Sequence, residues 1–140
     1  MDEAVKMAIF KAVEKEPFAQ ALHMKLMDLD TGYSAVEMPY EPETMDNIYG
    51  RAHGGVVFSL MDEAFETVSQ SEGTIAVALN VAITYVSSPH PHTVLRAEAR
   101  QINRTRKTAL FDISVKDNEG RLIATSHALA FDTGKPIPFL

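Results

Sequence analysis

The chain has 140 residues, with 13 basic residues against 19 acidic ones, a net charge of -6 and no cysteine. That length suits one domain, residues 1–140, and an acid excess without a basic stripe argues against a nucleic-acid partner. Without cysteine there are no disulfides, zinc–thiolate centres or cysteine nucleophiles.

In chain order, the opening "MDEAVKMAIFKAVEKEPF" has acids where a secretory signal carries bases, and its apolar residues are spaced rather than continuous. No apolar run approaches the roughly 20 residues of a membrane span, so a cytoplasmic protein with no membrane partner is expected. Ala4, Met7, Ala8, Phe10, Lys11 and Val13 predict a short, weakly amphipathic helix that Glu16-Pro17 ends. Then Leu22, Met24, Leu26 and, after a slip, Leu29 face one way, and "DTG" at Asp30 to Gly32 predicts a hairpin turn. Pro39 and Pro42 close that hairpin, and "EPETMDNIYG" reads as an irregular approach to the next helix.

That helix is the most informative segment. In "RAHGGVVFSLMDEAFETVSQ", Val57, Leu60, Met61, Ala64, Phe65 and Val68 follow the spacing of one buried helical face. Glu63, Glu66 and Gln70 fall on the opposite side, where solvent is expected. Asp62 lies at the boundary, on the flank of Phe58 and Ser69, and from periodicity alone it reads as a solvated charge. Gly54 and Gly55 stand where the first N–H groups of the helix lack intrahelical acceptors. Such a start, without side chains, admits a ligand closely and favours negative charge, which is what an oxyanion hole requires. The same glycines would equally permit tight helix packing.

After the helix the pattern turns to strand. "TIAVALNVAITYVSS" is long and β-branched and is closed by "PHPH"; "TVLRAEARQIN" and "KTALFDISVKD" alternate; "DNEG" turns into a last strand, "RLIATSHALAFDT". The order predicts an α+β fold, a twisted antiparallel sheet with one main helix laid on it. His90 and His92 have no third ligand at a recognisable spacing and read as a turn. Arg100, Arg104, Arg106, Lys107 and Arg121 cluster near strand ends, as surface charge or as partners for phosphate. The seven methionines suit core filling or an adaptable apolar lining.

"NIYGRAHGGVVFSLMDEAF" resembles the signature of hotdog-fold acyl-CoA thioesterases of the phenylacetate-pathway (PaaI) type, with an Asn six residues before the His of HGG and an Asp nine after it. "VALNVAITYVSSP" resembles that family's long central strand. The resemblance covers roughly residues 20 to 132 and implies a hotdog fold, a homodimer with sheets paired edge to edge, often doubled to a homotetramer, and active sites between subunits. It implies an acyl-CoA substrate, coenzyme A entering only as part of that substrate, and no metal or other cofactor. By the same resemblance the Gly54 N–H would polarise the thioester carbonyl, and Asp62 would be general base or nucleophile. Asn47 would orient water or the carboxylate, and His53 would brace the loop. Where some relatives carry a strand serine this chain has Ala78, with Asn80 and Thr84 near, and where some carry a threonine one turn after the acid it has Glu66. A non-catalytic acyl-CoA-binding hotdog module is the alternative of a different class; a hotdog dehydratase is disfavoured, because this sequence shows no Asp and His pair at the spacing of such enzymes. The resemblance leaves the acyl group open, aryl or fatty.

Overall fold

The computed structural model describes residues 1–140. In chain order the elements are α1 (Glu3–Val13), α2 (Pro17–Ala21), β1 (Lys25–Asp30), β2 (Tyr33–Pro39), α3 (Pro42–Met45), α4 (Gly54–Ser69), β3 (Thr74–Tyr85), β4 (Val94–Arg104), β5 (Thr108–Lys116) and β6 (Leu122–Pro136). Six strands form one antiparallel sheet in the order β1-β2-β4-β5-β6-β3, with α4 packed on it. This is the α+β hotdog arrangement.

Local chemistry accounts for most boundaries. Asp2 caps α1 through the Val5 N–H at 3.0 Å, and Pro17 opens α2 at its first position, where the missing N–H costs nothing. The slip between Leu26 and Leu29 is a β-bulge between Leu26 and Asp28, which keeps both leucines on the buried face. The predicted turn after β1 joins Asp30 to Tyr33 through Gly32, whose φ of +71° suits glycine. "EPETM" is more ordered than expected: Pro42 starts the one-turn helix α3. The two-histidine segment is a turn, with the Thr93 N–H on the His90 carbonyl.

One core of 29 buried residues fills the space between helix and sheet. All six apolar positions predicted for α4 are in it, as are Leu95, Ala97 and Ala99 from β4 and Phe111, Ile113 and Val115 from β5. Phe65 meets the edge of Phe111 with centroids 5.6 Å apart. Burial on this scale fixes the rotation of α4, since truncating a buried leucine such as Leu60 to alanine costs about 2–5 kcal/mol.

The two free edges of the sheet differ. On β1 the edge is short, bulged and charged, with Lys25, Asp28 and Asp30 along it. The other edge, β3, runs for 12 residues and leaves Val77, Leu79 and Tyr85 about half exposed.

Candidate active site

The loop before α4 is built to present the helix start. Asp46 and Ala52 form an isolated bridge, the Asn47 N–H donates to the Arg51 carbonyl, and the His53 N–H donates to the Met45 carbonyl. The Asn47 Oδ1 accepts the Tyr49 N–H at 2.9 Å and the Arg51 N–H at 3.3 Å, so this side chain ties the loop while its amide NH2 stays available. Tyr40 donates its hydroxyl to Asp46 beneath the loop; burial and that carboxylate hold the phenol up to about 12.

His53 is the N-cap of α4, and its Nδ1 accepts the Gly55 N–H at 2.9 Å. The Val56 N–H goes back to the His53 carbonyl. Gly54 is left as the residue of the first turn whose N–H has no acceptor within the chain. The Tyr85 hydroxyl donates to the Gly54 carbonyl at 2.9 Å, and a Cβ added at Gly54 would sit 3.0 Å from the Tyr85 ring. A side chain at Gly54 would therefore press on Tyr85 unless that ring moved. Sequence reasoning gave Tyr85 no role, because the contact joins positions 31 residues apart.

Asp62 lies two turns further along α4, on a shallow cleft shared with Phe65, Glu66, Ser69, Ala76 and Ala78. Its tip is open to solvent, and the protein packed around it raises its pKa above the ordinary 3.8. Ala78 lines the same cleft and offers no hydroxyl. Asn80 and Thr84 are exposed on β3 and line none of this cleft.

One expectation is corrected and a second is extended. Glu63, expected in solvent, is 3% exposed. Burial, then the charges of Glu16 and Glu66, push its carboxyl up to about 8. Glu66 is exposed, as expected, yet it also lines the Asp62 cleft, and its pKa is raised by the protein packed around it and then by the charges of Glu16 and Asp62. The physical reason is the segment from α1 to Glu16: Ile9, Val13 and Glu16 line a cavity with Glu63 and Glu66, on the side of α4 that a single-face helical reading assigns to water. The buried stripe Val5, Ile9, Val13 was the available signal, since it requires a second surface to pack on.

The arginines are largely committed to structure. Arg104 bonds Glu72 and Asp132, Arg121 bonds Asp117, and Arg100 bonds Glu98 and stacks over Tyr33 at 4.4 Å. Arg106 and Lys107 make no ion pair, and Lys107 lies over the Phe131 ring.

Within one chain the four candidate residues are not all together. Asn47, His53 and Gly54 share the helix start, whereas Asp62 is eight residues on, about 12 Å along the axis at 1.5 Å per residue.

Known proteins fit this geometry. The thioesterase superfamily profile matches residues 49–124, more than half of the chain and including the loop, α4 and β3. A protein of Archaeoglobus fulgidus assigned as an esterase is 33% identical over 99% of this chain and 87% of its own length. The acyl-coenzyme A thioesterase PaaI of Escherichia coli is 28% identical over 79% of each chain. The E. coli PaaI structure superposes with a TM-score of 0.90 at 26% identity, covering 95% of this chain and 96% of that one. A Streptococcus mutans protein bound to acetyl CoA matches with a TM-score of 0.76 at 29% identity, over 81% of this chain and 91% of its own. With the superfamily match spanning the helix start and its carboxylate, and the PaaI fold reproduced almost end to end, the chain belongs to the thioesterase superfamily as a hotdog-fold thioester hydrolase of the PaaI type.

Proposed function

We propose that this protein hydrolyses aryl- or fatty-acyl-CoA thioesters at sites built across a homodimer, with Gly54 from one copy and Asp62 from the other. The observation that carries the reading is the unspent Gly54 N–H on the same rigid helix as Asp62, about 12 Å away. Neither group can serve the other within one chain. A two-fold axis that pairs β3 with β3 antiparallel also sets two α4 helices antiparallel, which brings each Gly54 toward the other copy's Asp62. The long apolar edge of β3 supports that pairing, because Val77, Leu79 and Tyr85 stand about half exposed along it, whereas β1 is short and charged, as unpaired edges usually are. The E. coli relative is an acyl-coenzyme A thioesterase and the S. mutans relative holds acetyl CoA, which supports acyl-CoA as substrate. Two such dimers form a homotetramer in the cytoplasm; no helix is long and apolar enough to cross a membrane.

The thioester carbonyl oxygen rests on the Gly54 N–H, where the helix dipole adds to the hydrogen bond as charge develops. Ionised Asp62 then acts by one of two routes. As general base it takes a proton from water while the water oxygen bonds to the carbonyl carbon; the C–S bond breaks, and the thiolate leaves and is protonated. As nucleophile it forms an anhydride with loss of the thiolate, which water then opens. Either way water is consumed, and the products are a carboxylic acid and coenzyme A. Burial that raises the Asp62 pKa strengthens it as a base, and the free amide NH2 of Asn47 is suited to hold the water or the carboxylate. His53 and Tyr85 position Gly54 through its flanking N–H and its carbonyl. Neither route calls for a metal or a further cofactor.

The test is thiol release from a panel of aryl- and fatty-acyl-CoAs by wild type and Asp62→Asn. Turnover by wild type that falls by about 10²-fold or more in the variant supports the reading. Full activity in Asp62→Asn removes that residue from the chemistry. Tight acyl-CoA binding without thiol release would mark a binding module instead.

A further inference from the structure

A second acidic locus lies on the other flank of α4. Glu16, at the N-cap of α2, lines a cavity of about 340 Å³ together with Glu63 and Glu66. One oxygen from each of the three carboxylates lies within 4.8 Å of the others. Glu63 is 3% exposed, and its Oε1 has no hydrogen-bond partner. The nine ion pairs of the chain all lie elsewhere, and Lys15, which lines the same cavity, forms none with these three.

Three carboxylates gathered in one place repel one another, and a buried, unpartnered oxygen adds the cost of lost hydration. A proton or a cation relieves both. The donor set is oxygen only, which selects a hard cation. Calcium accepts about six to eight oxygens in flexible geometry, whereas magnesium usually keeps several waters and binds through one or two carboxylates, so three gathered carboxylates favour calcium.

We propose that Glu16, Glu63 and Glu66 form a site for a hard divalent cation, calcium in preference to magnesium, with Glu63 as its buried ligand and water completing the shell. The assignment requires neither Asp62 nor a thioester, so it stands or falls separately from the thioesterase mechanism. It goes beyond the expectation that no metal takes part, because the ion sits beside the chemistry and performs none of it. Glu66 lines both this cavity and the Asp62 cleft, so an ion here is held on the helix one turn from the catalytic carboxylate.

The test uses the full chain stripped with EDTA and titrated calorimetrically with calcium and with magnesium at constant ionic strength. The expected result is one saturable site per chain, with calcium tighter by about tenfold and the melting temperature raised by about 5 °C at saturation. Glu63→Gln and Glu16→Gln should each weaken binding by about tenfold or more, while Asp62→Asn, which removes a neighbouring charge but no ligand, weakens it by less. Glutamine keeps the shape and removes a buried charge, so these variants are expected to fold. No binding of either ion up to about 10 mM overturns the proposal, as does equal affinity in wild type and Glu63→Gln. A Glu63→Gln chain that melts higher without metal, beside a wild type indifferent to both ions, would assign the cluster to a shared proton.

Discussion

The first turn and the third turn of α4 have opposite deficits. At the start, His53 and the backbone consume the N–H groups of Gly55 and Val56 and leave Gly54 a donor without an acceptor. Two turns on, Asp62, Glu63 and Glu66 crowd negative charge with no base paired to any of them. One region lacks an acceptor and the other lacks cations. The difference teaches that a helix fixed by its apolar face can hold unsatisfied groups elsewhere along its length, because the core sets the geometry and the polar groups need only tolerate it.

The comparison breaks most completely if the two regions cannot meet across copies. Leu79→Asp on β3 places a charge on the exposed apolar edge and should give a monomer by light scattering with thiol release at background. Asp28→Lys on the already charged β1 edge should change neither. Next in size, Asp62→Asn should lower kcat/KM by about 10²–10³-fold with oligomeric state and melting temperature preserved. The acid limb of the wild-type kcat/KM profile should lie above the ordinary carboxylate value of 3.8, because burial raises the Asp62 pKa and the ionised form is the active one. At the first turn, Gly54→Ala forces its Cβ against the Tyr85 ring and should cost about 10–100-fold in kcat, with Tyr85→Phe, which loses only the bond to the Gly54 carbonyl, costing a few-fold at most.

The smallest effect concerns stability. Folded Glu63 holds its proton up to about pH 8, whereas its ordinary value is 4.5, so folding takes up a proton between those limits. Its contribution therefore falls as pH rises from 4.5 to about 8 and is constant beyond. In EDTA, Glu63→Gln should melt about 5 °C above wild type at pH 8, and the gap should close toward pH 4.5. A gap independent of pH would deny the buried charge.

How much of this was legible in sequence follows from which contacts are local. Strands β4 and β5 declared themselves by alternation, since one face is buried and register cannot slip without exposing it. The anomalous spacing before Leu29 was readable as a slip because a bulge leaves the pattern intact on both sides. The spacing of Asn47, His53, Gly54 and Asp62 identified the family, but the grouping of those residues in one chain could not follow from it, since a helix keeps positions eight apart well separated. Glu63 was misplaced because periodicity describes one element and its nearest layer, whereas α1 supplies a second layer from 50 residues upstream. The Tyr85 bond to Gly54 was illegible for the same reason: it depends on where β3 ends relative to the helix start.

On the proposed mechanism, the unbroken α4 between Gly54 and Asp62 also limits how such a protein can change over evolutionary time. Inserting or deleting one residue there would swing the carboxylate by about 100° and displace it by about 1.5 Å, turning it out of the cleft even if every core contact were rebuilt. Loops such as that between β5 and β6 face no comparable bar. The eight-residue interval is thus a measured length that lineages can decorate on either side but cannot edit one residue at a time.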